Sequence, residues 1–455
     1  MSQPSTRIFD THGKQIDTTK GSVHVLAYGQ TTESGPQRNK PLRVDKHGRL
    51  ASPHQIDNAG RIRTSNPHTV FELTHTTMAE NTAWAPLFKY SVDSSGTTSD
   101  VFYTDDSMVG LKVDTSDSYR RHASKRKFVY QPGKSVEIKL TGCLNARVGG
   151  NDVSCHTMIG CYDDNDGIFF EHNDTSGYVV VRRAGVDTKV VQDSWNKDTM
   201  DGNGLSSVTV DWTKTQFMMY DYQWQGVGDI NFYMHASGEL IPIHTVLNTN
   251  NATGAFMKWG NLPIRYETSC NSITTSGEMT FICGTVISEG VYDKHGVPHS
   301  AYSDYGTSLT TDQETHLLSI RINPASGVAN SRIIFNNYTA ISTKDKDCLF
   351  KMYLTPSQNT GILASPSWID VSYSCVQFDG TVTSSGGGLD TTGSYLVKAQ
   401  YISDNTSQIS DNLSNLLYFG TDVAGTRSDI MTMTMTILEA GGGSAACTTN
   451  WYEDI

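Results

Sequence analysis

At 455 residues the chain is long enough for two or three domains and for well-buried hydrophobic cores. Charged residues make up 18 %, below the usual ~25 %. Thr, Ser, Asn and Gly fill the difference, which disfavours a helical bundle, a coiled coil or a disordered acidic tail. The formal charge of −12 argues against dedicated nucleic-acid binding.

The charge is unevenly placed. Residues 1–66 hold ten Lys/Arg against five Asp/Glu, a net +5 that leaves −17 on residues 67–455. The opening MSQPSTRIFD lacks the apolar run of a secretory signal, and no stretch approaches ~18 consecutive apolar residues, so a soluble chain made in a cytosol, without membrane insertion, is expected. Large apolar side chains are sparse in this front segment, but a short unit recurs: Asp10-Thr-His-Gly13, Asp45-Lys-His-Gly48 and Asp57-Asn-Ala-Gly60. Asp followed three residues later by Gly marks a type I turn closed by a left-handed glycine. Leu42, Val44 and Leu50 flank the second copy, and Ile56 and Ile62 the third. The expectation is an extended N-terminal arm of small hairpins over residues 1–66, with a disordered tail as the alternative.

From residue 67 the apolar content rises. Strands are expected at Ser135–Leu140, Thr157–Cys161, Ile168–Glu171, Tyr178–Arg183, Ser207–Trp212, Gln216–Trp224, Ile230–Ala236, Glu239–Val246 and Met279–Ser288, with one helical turn near Trp195–Asp201. Short runs punctuated by Gly, Asn and Asp are the pattern of a sandwich or barrel. Residues 291–314 read as a linker or long loop. A second strand-rich block over 315–455 follows: Leu317–Ile322, Arg332–Phe335, Leu349–Leu354, Trp368–Phe378, Tyr395–Ile402 and Met431–Leu438. In Met431-Thr-Met-Thr-Met-Thr436 the period is two, which predicts a half-buried strand with Met on one face and Thr on the other. Gly386–Gly388 and Gly441–Gly443 are expected flexible breaks. The fold class is all-β: an arm over 1–66, β-sandwich domains over 67–290 and 315–455, and the linker between them.

Motifs for chemistry are weak. Aligning Gly167 of Asp163-Asp-Asn-Asp-Gly with the sixth position of an EF-hand puts Tyr162 and Asn173 at the end ligands, so that loop fails. A looser Ca²⁺ turn of Asp163, Asn165 and Asp166 is a weak candidate, and no other metal site or cofactor is expected. The scattered cysteines contain no CxxC and read as small buried hydrophobes rather than disulfides. Gly133-Lys-Ser135 lacks the first glycine of a phosphate loop, and Gly226-Val-Gly228 the third of a dinucleotide loop. Glu171 and Asp221 are possible sugar-hydrolysing acids with nothing to raise them above surface carboxylates. The basic cluster Arg120–Lys127 reads as a solvated loop or a contact with an acidic copy rather than a phosphate site. The aromatic set from Phe217 to Tyr233 suits a core better than a lectin platform.

Several strings together resemble a family of virion structural proteins of tailed phages and large DNA viruses. They include Gly60–Phe71, Tyr130–Ser135, Asp163–Glu171, Tyr178–Arg183, Asp221–Gly228, Asn261–Glu267 and Thr285–Gly290. The resemblance implies a capsid-surface, vertex, fibre or tail component, located in the virion after synthesis in the host cytoplasm, and not an enzyme. It implies partners among other copies and other virion proteins. Gln216–Asn250 further resembles the core of concanavalin-like jelly rolls, so both sandwiches are expected to be jelly-roll-like. Docking of the basic arm onto neighbouring subunits is assigned to Arg43, Arg49, Arg61, Ile62 and Arg63. The alternative is a receptor- or glycan-binding lectin-like module of the virion, with Trp224 and Trp259 stacking a host-surface glycan. A glycan-degrading enzyme is the remaining option.

Overall fold

In the first 64 residues the computed structural model pairs Tyr28–Gly29 with Lys40–Pro41, and Arg43–Val44 with Leu50–Ala51. Val44 sits opposite Leu50; the second Asp…Gly unit between them lies outside the described residues. The structure describes residues 28–29, 40–41, 43–44, 50–51, 67–74, 90–128, 130–145, 154–173, 176–223, 225–273, 276–290, 296–304, 307–326, 332–342, 346–357, 359, 361–381, 383–384, 389–403, 408–412 and 419–454. Arg49, Arg61, Ile62, Arg63, Trp224 and the triplet Gly386–Gly388 lie outside them.

Residues 65–455 form one unit containing two β-sandwiches, each around its own core. The first core draws on Val70 to Val286 and the second on Ala301 to Trp451. In the first, an eight-stranded sheet runs Glu239–Val246, Ile230–Ala236, Gln216–Tyr222, Val136–Cys143, Gly277–Glu289, Met108–Val113 and Thr98–Tyr103, with Pro67–Thr74 also on Gly277–Glu289. A seven-stranded sheet faces it: Val186–Val191, Ser176–Arg183, Gly167–Asn173, Cys155–Tyr162, Ile264–Cys270, Ser118–Ser124 and Tyr90–Ser95. Alternation sends Ile159, Cys161, Ile168, Phe170, Val179 and Val181 into this core, where they meet Tyr220, Tyr222 and Phe232 of the other sheet. Strand-to-strand pairing is antiparallel, the hairpin-and-return pattern of a jelly-roll-like sandwich.

The second sandwich packs a five-stranded sheet against a seven-stranded one. Gly443–Asp454 pairs in the first with Val297–Tyr302, Thr307–Leu309 and Arg332–Ser342. The seven-stranded sheet runs Ile369–Asp370, Val376–Asp379, Thr315–Ile322, Ile430–Ile437, Cys348–Thr355 and Tyr395–Ile402, with Thr383–Ser384 also on Thr315–Ile322.

Several expectations are corrected. The segment 291–314 carries two strands, and Ala301 and Leu309 enter the second core. Ser207–Trp212 is reduced to one bridge, Asp201 to Thr209, and the helical turn expected near Trp195–Asp201 falls instead at Gln192–Ser194. Arg120–Lys127 is a strand end, not a solvated loop: Arg120 and His122 bind Asp100 of the opposite sheet, at 2.6 and 3.0 Å. Burial opposes ionisation of Asp100, but these partners outweigh it and lower its pKa. Ile430–Ile437 is buried on both faces: Met431, Met433 and Met435 fill the core, while Thr432 and Thr434 are covered as well. Finally, Cys155 and Cys270, directly opposed on neighbouring strands, form a disulfide facing the inter-sheet space beside Gly277.

The two sandwiches meet over a buried ion pair. Lys125 Nζ lies 2.6 Å from Asp429 Oδ1, with the two side chains 1 % and 0 % exposed. Asp429 also accepts the backbone N–H of Ser357 at 2.8 Å and of Gly420 at 3.2 Å. Burial pushes the Asp429 carboxyl up, and these partners offset that only in part. At Gly420 a Cβ would come within 2.5 Å of the Lys125 carbonyl oxygen, so only glycine permits this approach.

Candidate functional site

Three places gather polar side chains. On the outer face of the first sandwich's seven-stranded sheet, alternation places Tyr162, Phe169, Glu171, Arg182, Arg265 and Glu267 together. Their charges are spent on one another and on neighbours: Arg265 on Glu267 and Asp164 (2.6 and 2.7 Å), Arg182 on Asp187 (2.6 Å), and Lys189 on Glu171 (2.6 Å). Burial resists ionisation of Glu171, yet His156 and Lys189 hold its pKa below the usual carboxylate range. Asp221 lies on the outer face of the opposite sheet and accepts from Asn231 at 3.0 Å. The two carboxylates named as sugar-hydrolysing candidates therefore stand on opposite sides of a sandwich and cannot flank one bond. Tyr220, Tyr222 and Phe232 are core residues.

The second place is the loop end of the same sandwich. Asp163 Oδ1 accepts the N–H groups of Asn165 and Asp166, each at 2.8 Å, and Asp166 Oδ1 accepts that of Lys258 at 2.7 Å. These carboxylates tie loops together, an Asx-turn use, and among the described residues no His/Cys/Asp/Glu group of three is arranged to hold a metal ion. Arg183, Gln225, Gly226, Met257 and Lys258 line a shallow cleft here. Trp259 follows in the chain and is 46 % exposed, but it does not line that cleft.

The third place was not foreseen. It opens on the outer face of the second sandwich's seven-stranded sheet, a cleft of about 340 Å³, within the ~300–1,000 Å³ of small-molecule sites. Along Thr315–Ile322, Leu318, Ile320 and Ile322 take the core side, so Ser319 and Arg321 point outward. A bulge between His316 and Leu318 turns His316 to the same side as Ser319. Its Nε2 meets Ser319 Oγ at 2.9 Å and its Nδ1 meets the Thr381 carbonyl at 2.6 Å. A carbonyl only accepts, so Nδ1 carries the proton, and burial, opposed in part by that bond and by Asp379, lowers the His316 pKa and keeps the ring neutral.

Two segments complete the walls. Loop 356–368 brings Ser357, Asn359, Ile362 and Trp368, and the 421–428 turn brings Thr426 and Arg427. Asp422 shapes that turn by accepting from the backbone of Thr426 and Arg427 and from the Thr426 hydroxyl. Arg321 Cζ stands 4.3 Å over the Trp368 ring, a cation–π contact. Arg321 Nε donates to Gln377 Oε1 at 2.9 Å, and the Gln377 amide nitrogen donates to Asp370 Oδ1 at 2.9 Å. Ser357 is 2 % exposed, and its Oγ has no hydrogen-bond partner among the described residues. The available sequence signal was an aromatic residue just past a Pro/Ser/Gly-rich stretch, Thr355 to Ser367. Strand periodicity absorbed Trp368 into the run Trp368–Phe378, whereas the structure has two short strands there, Ile369–Asp370 and Val376–Asp379, with Trp368 outside both.

The folded unit is thus a pair of fused, jelly-roll-like sandwiches with an open cleft on one of them. No family model matches the chain, and no curated protein matches it. Among solved structures, an endo-1,3-β-glucanase from Streptomyces sioyaensis is 11 % identical, covering 50 % of this chain and 98 % of that one, with a TM-score of 0.32. Lectin I-B4 from Griffonia simplicifolia is 9 % identical, covering 48 % and 99 %, with a TM-score of 0.28. A protein of unknown function from Shewanella oneidensis MR-1 is 12 % identical, covering 54 % and 100 %, with a TM-score of 0.31.

Proposed function

We propose that this chain is a lectin-like glycan-binding module whose ligand occupies the cleft of the second sandwich. One observation carries the reading: an aromatic ring, an apolar floor of Ile362 and Ile430, and the polar groups of Ser357, Asn359 and Thr426 converge on one open cavity. A sugar presents apolar C–H faces and a rim of hydroxyls, which such a lining matches. The described lining contains no Asp, Glu or His, so it offers no acid–base pair for cleaving a glycosidic bond. That favours binding over hydrolysis at this cleft.

The test is tryptophan fluorescence and calorimetry of the full chain against a glycan panel, with Trp368→Ala and Trp259→Ala side by side. Loss of binding in Trp368→Ala with retention in Trp259→Ala is expected. The reverse pattern moves the site to the first sandwich, and a silent panel with folded protein sinks the reading.

A second reading, a virion structural component that assembles through residues 1–66, is favoured by the +5/−17 charge split and by the pairing of Val44 with Leu50. The two are compatible, since a particle component can also carry the glycan site.

A further inference from the structure

Building on the glycan-binding reading, we infer that the cleft selects an acidic saccharide, a sugar bearing a carboxylate or sulfate, and that Arg321 and Arg427 receive its anionic group. The chain as a whole is strongly acidic, at −12, yet this cavity is lined by two guanidinium groups and by no carboxylate among its described residues.

Arg321 is held as a cation kept available. Its Nε is taken by a neutral amide oxygen, because the Gln377 NH₂ is itself tied to Asp370. Its remaining N–H groups have no hydrogen-bond or ion-pair partner among the described residues, and one face of the guanidinium covers Trp368. Burial lowers its pKa with no opposing carboxylate to restore it, the behaviour of a charge that lacks a counterion. Arg427 is exposed on a turn whose one carboxylate, Asp422, is occupied by backbone and hydroxyl donors.

The buried hydroxyl of Ser357 supplies the independent sign of a ligand. A polar atom so enclosed normally has a partner, and leaving it without one costs about 1–3 kcal/mol. Ser357 lines the cleft, so a small turn of its side chain would present this hydroxyl to a ligand oxygen. Guanidinium groups recognise planar carboxylates and tetrahedral sulfates by paired N–H donation, and hydrogen bonds to an ion are about twice as strong as neutral ones. Trp368 then provides the surface for the ring that carries the anion.

Calorimetry of the full chain with three matched probes separates the possibilities: a glucuronate-terminated disaccharide, its glucose-terminated counterpart and a sulfated counterpart. At low salt the acidic probes should bind about tenfold or more tighter than the neutral one, with the margin shrinking as salt rises. Arg321→Gln, and independently the surface variant Arg427→Gln, should pull the acidic probes toward the neutral value, while Trp368→Ala weakens all three. Equal binding of acidic and neutral probes overturns the charge inference and leaves glycan binding standing. Binding of inorganic sulfate as tightly as the sulfated sugar, unchanged in Trp368→Ala, overturns both, as does binding of no probe by folded protein. The ratio of the two acidic probes tells carboxylate from sulfate.

Discussion

At the scale of single residues the decisive pair is Lys125 and Asp429. Each comes from a different sandwich, and neither reaches water. Burying both charges costs several kcal/mol per ion, so the contact does not by itself stabilise the junction. Removing one partner is another matter. Lys125→Met strands a carboxylate whose burial already opposes ionisation, and the expected loss is about 3–5 kcal/mol, read as a fall in the guanidinium midpoint. Adding Asp429→Asn keeps an oxygen for the Ser357 and Gly420 N–H groups while deleting the stranded charge, so the double variant should regain most of the loss. If the double variant is as unstable as the single one, the ion pair itself holds the junction. Asp429 also anchors the backbone of Ser357 in the cleft wall, so the single variant should loosen ligand binding along with stability.

At the scale of elements, the strands with clean alternation were legible and the others were not. Ile230–Ala236 and Glu239–Val246 form at the very bounds that period-two patterning gives. Ile264–Cys270 was missed because its outward residues Arg265 and Glu267 are charged yet buried in ion pairs, so its pattern looks like surface. Ser118–Ser124 was hidden the same way by Arg120, Arg121 and His122. Gly443–Asp454 opens on Gly and two Ala and ends on Glu and Asp, residues depleted in strands, so its propensity does not register. The cleft was invisible for a related reason: it draws on a strand, a loop and a turn that only the second sandwich's topology brings together. The Cys155–Cys270 bond needed the register of two strands 115 residues apart. Its prediction is direct. Thiol titration of the denatured, unreduced chain should count the six free cysteines rather than all eight. Cys155→Ala/Cys270→Ala should cost about 2–5 kcal/mol, because the bond closes a long loop in the unfolded chain. A count of eight removes the crosslink.

For the whole molecule, composition and punctuation were enough to give an all-β chain, but division into parts needed the cores. Residues 291–314 read as a linker because their few large apolar side chains are scattered among Asp, Ser, Thr and Gly, whereas tertiary pairing recruits Val297–Tyr302 into a sheet. The front segment invites a separate experiment. Strand pairing in the body begins at Pro67, so a chain lacking residues 1–64 should keep the denaturation midpoint of the full chain. If the arm mediates assembly, sedimentation should show self-association in the intact chain, reduced by added salt and absent from the truncated one. Unchanged association after truncation removes the arm from that role.

The placement of Gly443–Asp454 bears on how the polypeptide is made. The first sandwich has all its pairing partners once Glu289 has left the ribosome, but the five-stranded sheet of the second lacks its middle until residue 454 emerges. During that interval Val297–Tyr302, Thr307–Leu309 and Arg332–Ser342 wait with open hydrogen-bonding edges, the kind of surface that nascent-chain chaperones shield. A stop codon within Gly443–Asp454 would therefore leave one finished half joined to one that cannot close.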